Sequence, residues 1–139
     1  MQRSSSREKA FLLLFENSFN GYSLEKILEI KLSLLREDYI LDNFSVEIFN
    51  GVKENERKID EVIENSLNNW KMERISRVSL CALRIAIFEI LYRKDIPEGV
   101  SANEAVNLAK KYGGETEYAF VNGILGSVCS KEKKYVDVV

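Results

Sequence analysis

The sequence predicts an all-α protein, six or seven helices gathered around the segment Val78–Leu91. Three observations carry that expectation. One proline and seven glycines leave long runs without a helix breaker. Apolar residues recur every three or four positions through most of the chain, the spacing of a single helix face. No stretch keeps the alternation of a half-buried strand. At 139 residues, 45% apolar and 30% charged, the chain reads as one domain, residues 1–139. That length suffices to bury about two thirds of the extended surface.

The first nine residues read as a basic arm. Ser5 and Glu8 have the S-x-x-E spacing of a capping box, and Ala10, Phe11, Leu14, Phe15 and Phe19 follow as an apolar stripe. Asn20-Gly21 closes this first helix. Ser23 opens a second, carrying Leu24, Ile27, Leu28, Leu34 and Leu35, with Arg36, Glu37 and Asp38 at its exit. Phe44, Ile48, Val52, Asn55, Ile59, Ile63, Leu67 and Trp70 then hold one phase. They fit one helix from about Asp42 to Asn69, or two helices broken near Asn55–Arg57. The mixed charges on the opposite face, Lys53 to Glu64, read as solvated.

Val78–Leu91, VSLCALRIAIFEIL, is apolar on nearly every side, as a helix surrounded by others must be. Ser76 is its expected N-cap and Asp95-Ile96-Pro97 its stop. Arg84 and Glu89 do not face each other along one helix, so each needs another partner at the bundle's edge. A hairpin from Val100 to Val128 follows. Ser101 and Glu104 form a capping box, Ala105, Leu108, Ala109 and Tyr112 the stripe, and Gly113 the left-handed stop. Asn103 and Asn122 are expected to be hydrogen-bonded locks, and Gly123 and Gly126 to admit a close neighbouring helix. Residues 130–139 read as a polar tail.

Chemistry is bounded mainly by what is missing. The chain has no histidine, which removes His-based acid–base catalysis and the usual zinc sites. Cys81 and Cys129 stand alone on apolar stretches and read as reduced thiols. No phosphate-binding loop, dinucleotide fingerprint or nucleophile elbow occurs. Gly123-Ile124-Leu125-Gly126 matches the G-x-x-G of a KH loop only formally, lacking a basic middle. Asp60 and Glu61 lie on the charged face with no apolar pocket to raise a pKa. The expectation is a binding protein, not an enzyme, with no cofactor or metal. No apolar run reaches the length of a membrane span, and the N-terminus lacks a signal peptide's apolar core, so a cytoplasmic location is expected.

Two features point to a ligand. In Met1–Ala10, Arg3, Arg7 and Lys9 stand against Glu8 alone, a composition suited to phosphate contacts. At the hairpin junction, Lys110, Lys111 and Tyr112 precede Gly113-Gly114, with Tyr118 and Phe120 just beyond. Basic residues beside aromatics suit stacking on unpaired bases, and the glycines would leave a helix N-terminus open to an anion. Tyr112 and Phe120 read equally well as core. The overall charge of −2 gives no general attraction to nucleic acid, so binding must come from such patches.

The segment Ser101–Gly113, SANEAVNLAKKYG, followed by FVNGIL from Phe120, resembles the signature of the bacterial antitermination factor NusB family. Leu83–Leu91 with Asp95-Ile96-Pro97, Ile59-Asp60 with Trp70 and Arg74, and Ser6–Phe15 resemble other parts of it; residues 22–41 resemble it least. The resemblance implies two packed helical bundles and no catalysis. It also implies binding of boxA single-stranded RNA in ribosomal RNA leaders together with NusE, a small-subunit ribosomal protein. That complex serves the RNA polymerase antitermination complex, with the factor as monomer or homodimer. Arg7 falls on an arm arginine and Phe120 on an aromatic near the RNA, while Phe15 and Ser79 fall where the family meets NusE. The chain departs from the pattern in diluting the arm with Ser4-Ser5-Ser6. It also has Phe15 where tyrosine is frequent, and Ser79 and Thr116 where some members are acidic. Alternatives are an accessory domain of a ribosomal RNA methyltransferase, for which the chain leaves no catalytic room, and a structural homodimer.

Overall fold

Residues Arg77–Tyr92 form a helix whose side chains Leu83, Ile85, Ala86, Ile87 and Ile90 are all buried. It is the centre of a computed structural model that describes residues 3–21, 23, 25–27, 29, 42–67 and 71–138. Among the described residues the other elements are α1 (Arg3–Asn20), α2 (Asn43–Glu54), α3 (Glu56–Asn65) and a 3-10 turn at Met72–Arg74. The central helix is α4, followed by α5 (Glu98–Gly113) and α6 (Glu115–Val138); no strand occurs among these residues. Each of α1, α2, α3, α5 and α6 touches α4, which explains why its sequence has no polar face.

Local chemistry sets most boundaries. Gly21, at φ +68°, ends α1, and its N–H donates to the Asn17 carbonyl at 2.8 Å. Ser23 accepts from the Lys26 N–H at 3.2 Å, capping a helical stretch in which Ile27 is buried. Leu24, Leu28, Leu34, Leu35, Arg36, Glu37, Asp38 and Trp70 lie outside the described residues. Asp42 caps α2 by accepting from the Ser45 N–H at 2.9 Å. The long periodic stretch is two helices. Asn55, at φ −113° and ψ 18°, separates α2 from α3, its side-chain amide donating to the Gly51 carbonyl at 2.8 Å. Ile59 and Ile63 keep the apolar phase across the break and are fully buried. Ser76 caps α4 through the Ser79 N–H at 3.1 Å.

Three expected starts or ends differ. α1 begins at Arg3, so residues 3–9 of those read as an arm form its first two turns, and Ser5 lies inside the helix. α5 begins at Glu98 behind Pro97, one turn before Ser101. Ser101 does not cap it; its hydroxyl donates to the buried Glu89 carboxylate at 2.7 Å. α5 ends through Gly114, at φ +90° and ψ −168°, one residue later than expected. The backbone of α6 stays helical through residues read as a polar tail, to Val138.

Gly51 of α2 lies against the Phe88 ring of α4: a Cβ on Gly51 would overlap the ring. Gly123 and Gly126 serve no such role. Both are exposed, and a Cβ on either would meet nothing within 4 Å. Asn103 and Asn122 are likewise exposed on α5 and α6 and do not act as buried locks. Arg84 has its own partners: Asp60 holds it by two bonds of 2.9 Å, and Glu56 lies 3.1 Å away. Burial opposes the Arg84 charge, but the two carboxylates outweigh it and raise its pKa. Burial pushes the Cys81 thiol up to about 11, which keeps it protonated.

Candidate nucleic-acid interface

The first turns of α1 lie along α5 from its second turn to its last. Ser4 donates to Glu104 at 2.6 Å, and Glu8 accepts from Lys111 at 2.6 Å and from the Tyr112 hydroxyl. Below them the Phe11 and Tyr112 rings stack at 5.1 Å. The fold therefore brings together the two regions that the sequence marked separately, the basic N-terminus and the α5–α6 junction.

Their residues fare differently. Arg3 is exposed, its guanidinium 4.7 Å over the half-buried Phe44 ring. Lys9 is half-buried on α1. Arg7, expected on the surface, is only 2% exposed and grips Glu89 through Nε at 2.7 Å and Nη2 at 2.8 Å. Glu89 is fully buried, so this bidentate pair fixes α1 to α4 and leaves Arg7 no face for RNA. That expectation is corrected: Arg7 positions the helix that carries Arg3 and Glu8.

At the junction, Lys110 lies 3.4 Å from Glu115 and 5.3 Å over the Tyr118 ring. Tyr118 and Phe120 are half-buried, each packed against the core on one side. The expected anion site at the start of α6 is not offered, because Glu115 and Glu117 occupy its first turn. Glu117 accepts from the hydroxyls of Ser76 and Ser79, tying α6 to the N-terminus of α4. The same contact corrects Ser79, which is fully buried and presents nothing to a protein partner.

Phe15 is half-buried in the middle of a ring ladder on α1, between Phe11 at 6.2 Å and Phe19 at 4.8 Å. Phe19 is 61% exposed and is covered by the Arg77 guanidinium at 4.2 Å, which also donates to the Ser18 carbonyl at 2.6 Å. Sequence reasoning missed both Phe19 as a surface aromatic and Arg77. The signal was there in outline: the stripe 11, 15, 19 runs on to Asn20, past the reach of the core.

Among the described residues no three acidic or thiol groups are placed to hold a metal ion, and no helix is long and apolar enough to cross a membrane.

A sequence profile described as the NusB family matches residues 4–130. The chain belongs to the NusB family. The transcription antitermination protein NusB of Clostridium botulinum (strain Hall) is 42% identical, covering 92% of this chain and 99% of its own length. That of Clostridium acetobutylicum is 41% identical, covering 96% and 99%. Among solved structures, T. maritima NusB superposes with a TM-score of 0.78 at 35% identity, covering 94% of this chain and 92% of its own. A chain from the crystal structure of antitermination factors NusB and NusE in complex with dsRNA has a TM-score of 0.76 at 25% identity, covering 92% and 97%. The NusB fold is thus all-α here as in those structures.

Proposed function

We propose that this protein is a non-enzymatic antitermination factor that binds boxA single-stranded RNA of ribosomal RNA leaders jointly with NusE. In that complex it supports processive ribosomal RNA synthesis by RNA polymerase, in the cytoplasm and as a single domain. The juxtaposition of α1 with the end of α5 carries the reading: Glu8 meets Lys111 and Tyr112 there, beside Lys110 and Tyr118, and Arg3, Lys9 and Phe120 are the further contacts proposed. Cations beside aromatic rings suit a strand whose backbone is held by charge and whose bases stack. The NusB–NusE–dsRNA structure supports RNA and NusE as partners of this fold. For NusE, Phe15 is the matching position, and the exposed Phe19 beside it extends an aromatic surface. Relatives named as antitermination proteins, matched over 99% of their own length, favour this reading over a methyltransferase domain.

The test is a titration of the protein, with and without NusE, against boxA RNA and a scrambled strand over a salt series. About three phosphate contacts give log K a slope near −2 against log salt. Phe120→Ala is expected to weaken boxA more than the scrambled strand. Undetectable or salt-independent binding to boxA, even with NusE present, would falsify the reading.

A further inference from the structure

We propose that Glu8 is a resident counter-ion of the RNA surface: its carboxylate occupies Lys111 and Tyr112 in the free protein, and an RNA backbone phosphate displaces it. The inference rests on the RNA-binding reading above and concerns how that same surface is regulated.

The geometry is specific. Glu8 of α1 and Lys111 and Tyr112 of α5 meet across the groove between the two helices, and one oxygen, Oε2, serves both donors. The Lys111 ammonium also lies 5.6 Å over the Tyr112 ring. So one contact engages a cation, a phenolic hydroxyl and an aromatic face, the three kinds of group a single strand uses. Lys111 remains 62% exposed, so a phosphate has open access to it. The Lys111 and Tyr112 hydrogen bonds hold the Glu8 carboxyl below the usual range, so it stays charged near neutrality.

The surroundings make the contact exchangeable. Ser4, Glu8, Glu104, Asn107, Leu108 and Lys111 line a cleft between α1 and α5. Its second carboxylate, Glu104, is held by Ser4 at 2.6 Å and by Arg7 at 3.7 Å. Glu104 is thus already offset by Arg7, and Glu8 is the carboxylate that stands between Lys111 and an incoming phosphate. An exposed ion pair binds weakly and is readily broken. A phosphate that takes Lys111 instead releases the counterions condensed on the RNA. Arg7 and Glu89 keep α1 anchored meanwhile, so the exchange needs a side-chain movement and no helix displacement.

A structural staple between α1 and α5 would behave differently, since losing it should leave RNA affinity unchanged or lower it. The experiment compares the full chain, Glu8→Gln, Lys111→Gln and the double variant, each with NusE, in titrations against boxA RNA over a salt series. Glu8→Gln is expected to bind about fivefold tighter at low salt, the factor for removing one charge roughly 4 Å from a phosphate in high dielectric. Its salt slope should stay close to that of the unaltered chain, because the same phosphate meets Lys111 in both. On the Lys111→Gln background most of that gain should vanish. Equal or weaker binding by Glu8→Gln, with the unaltered chain binding normally, overturns the proposal. Failure of the unaltered chain to bind RNA overturns the functional reading instead. A second measurement needs no variant: the Glu8 side-chain carboxyl carbon resonance should move on saturation with RNA, and an unmoved resonance also overturns the proposal.

Discussion

Arg7 and Glu89 show how far a single residue's role depends on partners remote in sequence. Beside Arg3 and Lys9, near a chain terminus, Arg7 reads as a surface cation. Glu89, inside the most apolar segment, reads as a charge in need of a partner. The two resolve each other across 82 residues, with Ser101 donating to the same carboxylate. Neither half of that solution leaves a local signal, because spacing reports helix faces and not which faces meet. A buried pair of this kind offsets two desolvation penalties, so removing one member strands the other. Arg7→Met or Glu89→Leu should each lower stability by about 3–5 kcal/mol. The double replacement Arg7→Met with Glu89→Leu should cost much less than the sum of the single changes. Urea denaturation of the four proteins checks this; additive losses would show that the pair is not coupled.

Among the elements, those whose ends are decided locally were legible and those decided by tertiary contact were not. Ser23, Ser76 and Gly21 act within a few residues of where they stand, and sequence placed each correctly. The break at Asn55 was one of two readings, since the apolar phase passes through it undisturbed and only the backbone changes. The starts of α1 and α5 were misplaced for a shared reason. Glu104 and Ser101 match a capping box, yet Ser4 and Glu89 claim their side chains, and the helix begins earlier behind Pro97. Gly51 is the counterpart for packing. A glycine inside a helix is a weak signal on its own; the Phe88 ring lying against its Cα explains it. Gly51→Ala raises helix propensity, but the added methyl must push the Phe88 ring out of place. Overpacking of this kind costs about 1–3 kcal/mol, more than the propensity gained. Thermal melting should therefore show a less stable variant, and a gain in stability would mean that the ring yields freely.

Across the described residues, several cations are neutralised from within: Arg84 by Asp60 and Glu56, Arg93 by Glu47 and Asp95, Lys110 by Glu115, Lys111 by Glu8. This arrangement was the least legible part of the candidate interface, since a list of basic residues does not say which are already occupied. It also ties folding to acid. Hydrogen bonds from Lys111 and Tyr112 lower the Glu8 pKa from 4.5. Arg93 lowers that of Asp95 from 3.8. For Asp42 burial pushes upward, but hydrogen bonds from Ser45 and Ser6 outweigh it, and the pKa falls below 3.8. A carboxylate with a depressed folded-state pKa binds protons more readily in the unfolded chain. Its contribution is complete above the unfolded value and disappears as pH falls through the folded one. Stability should therefore hold down to about pH 4.5, as far as Glu8 is concerned, and decline below it, with the Asp42 and Asp95 contributions starting to fall from about 3.8. In Glu8→Gln the first part of that decline is removed, so the fall should set in nearer 3.8. Melting temperatures of both proteins across this acid range check the assignment. Identical pH profiles for the two would mean that Lys111 and Tyr112 do not hold the Glu8 carboxylate in solution.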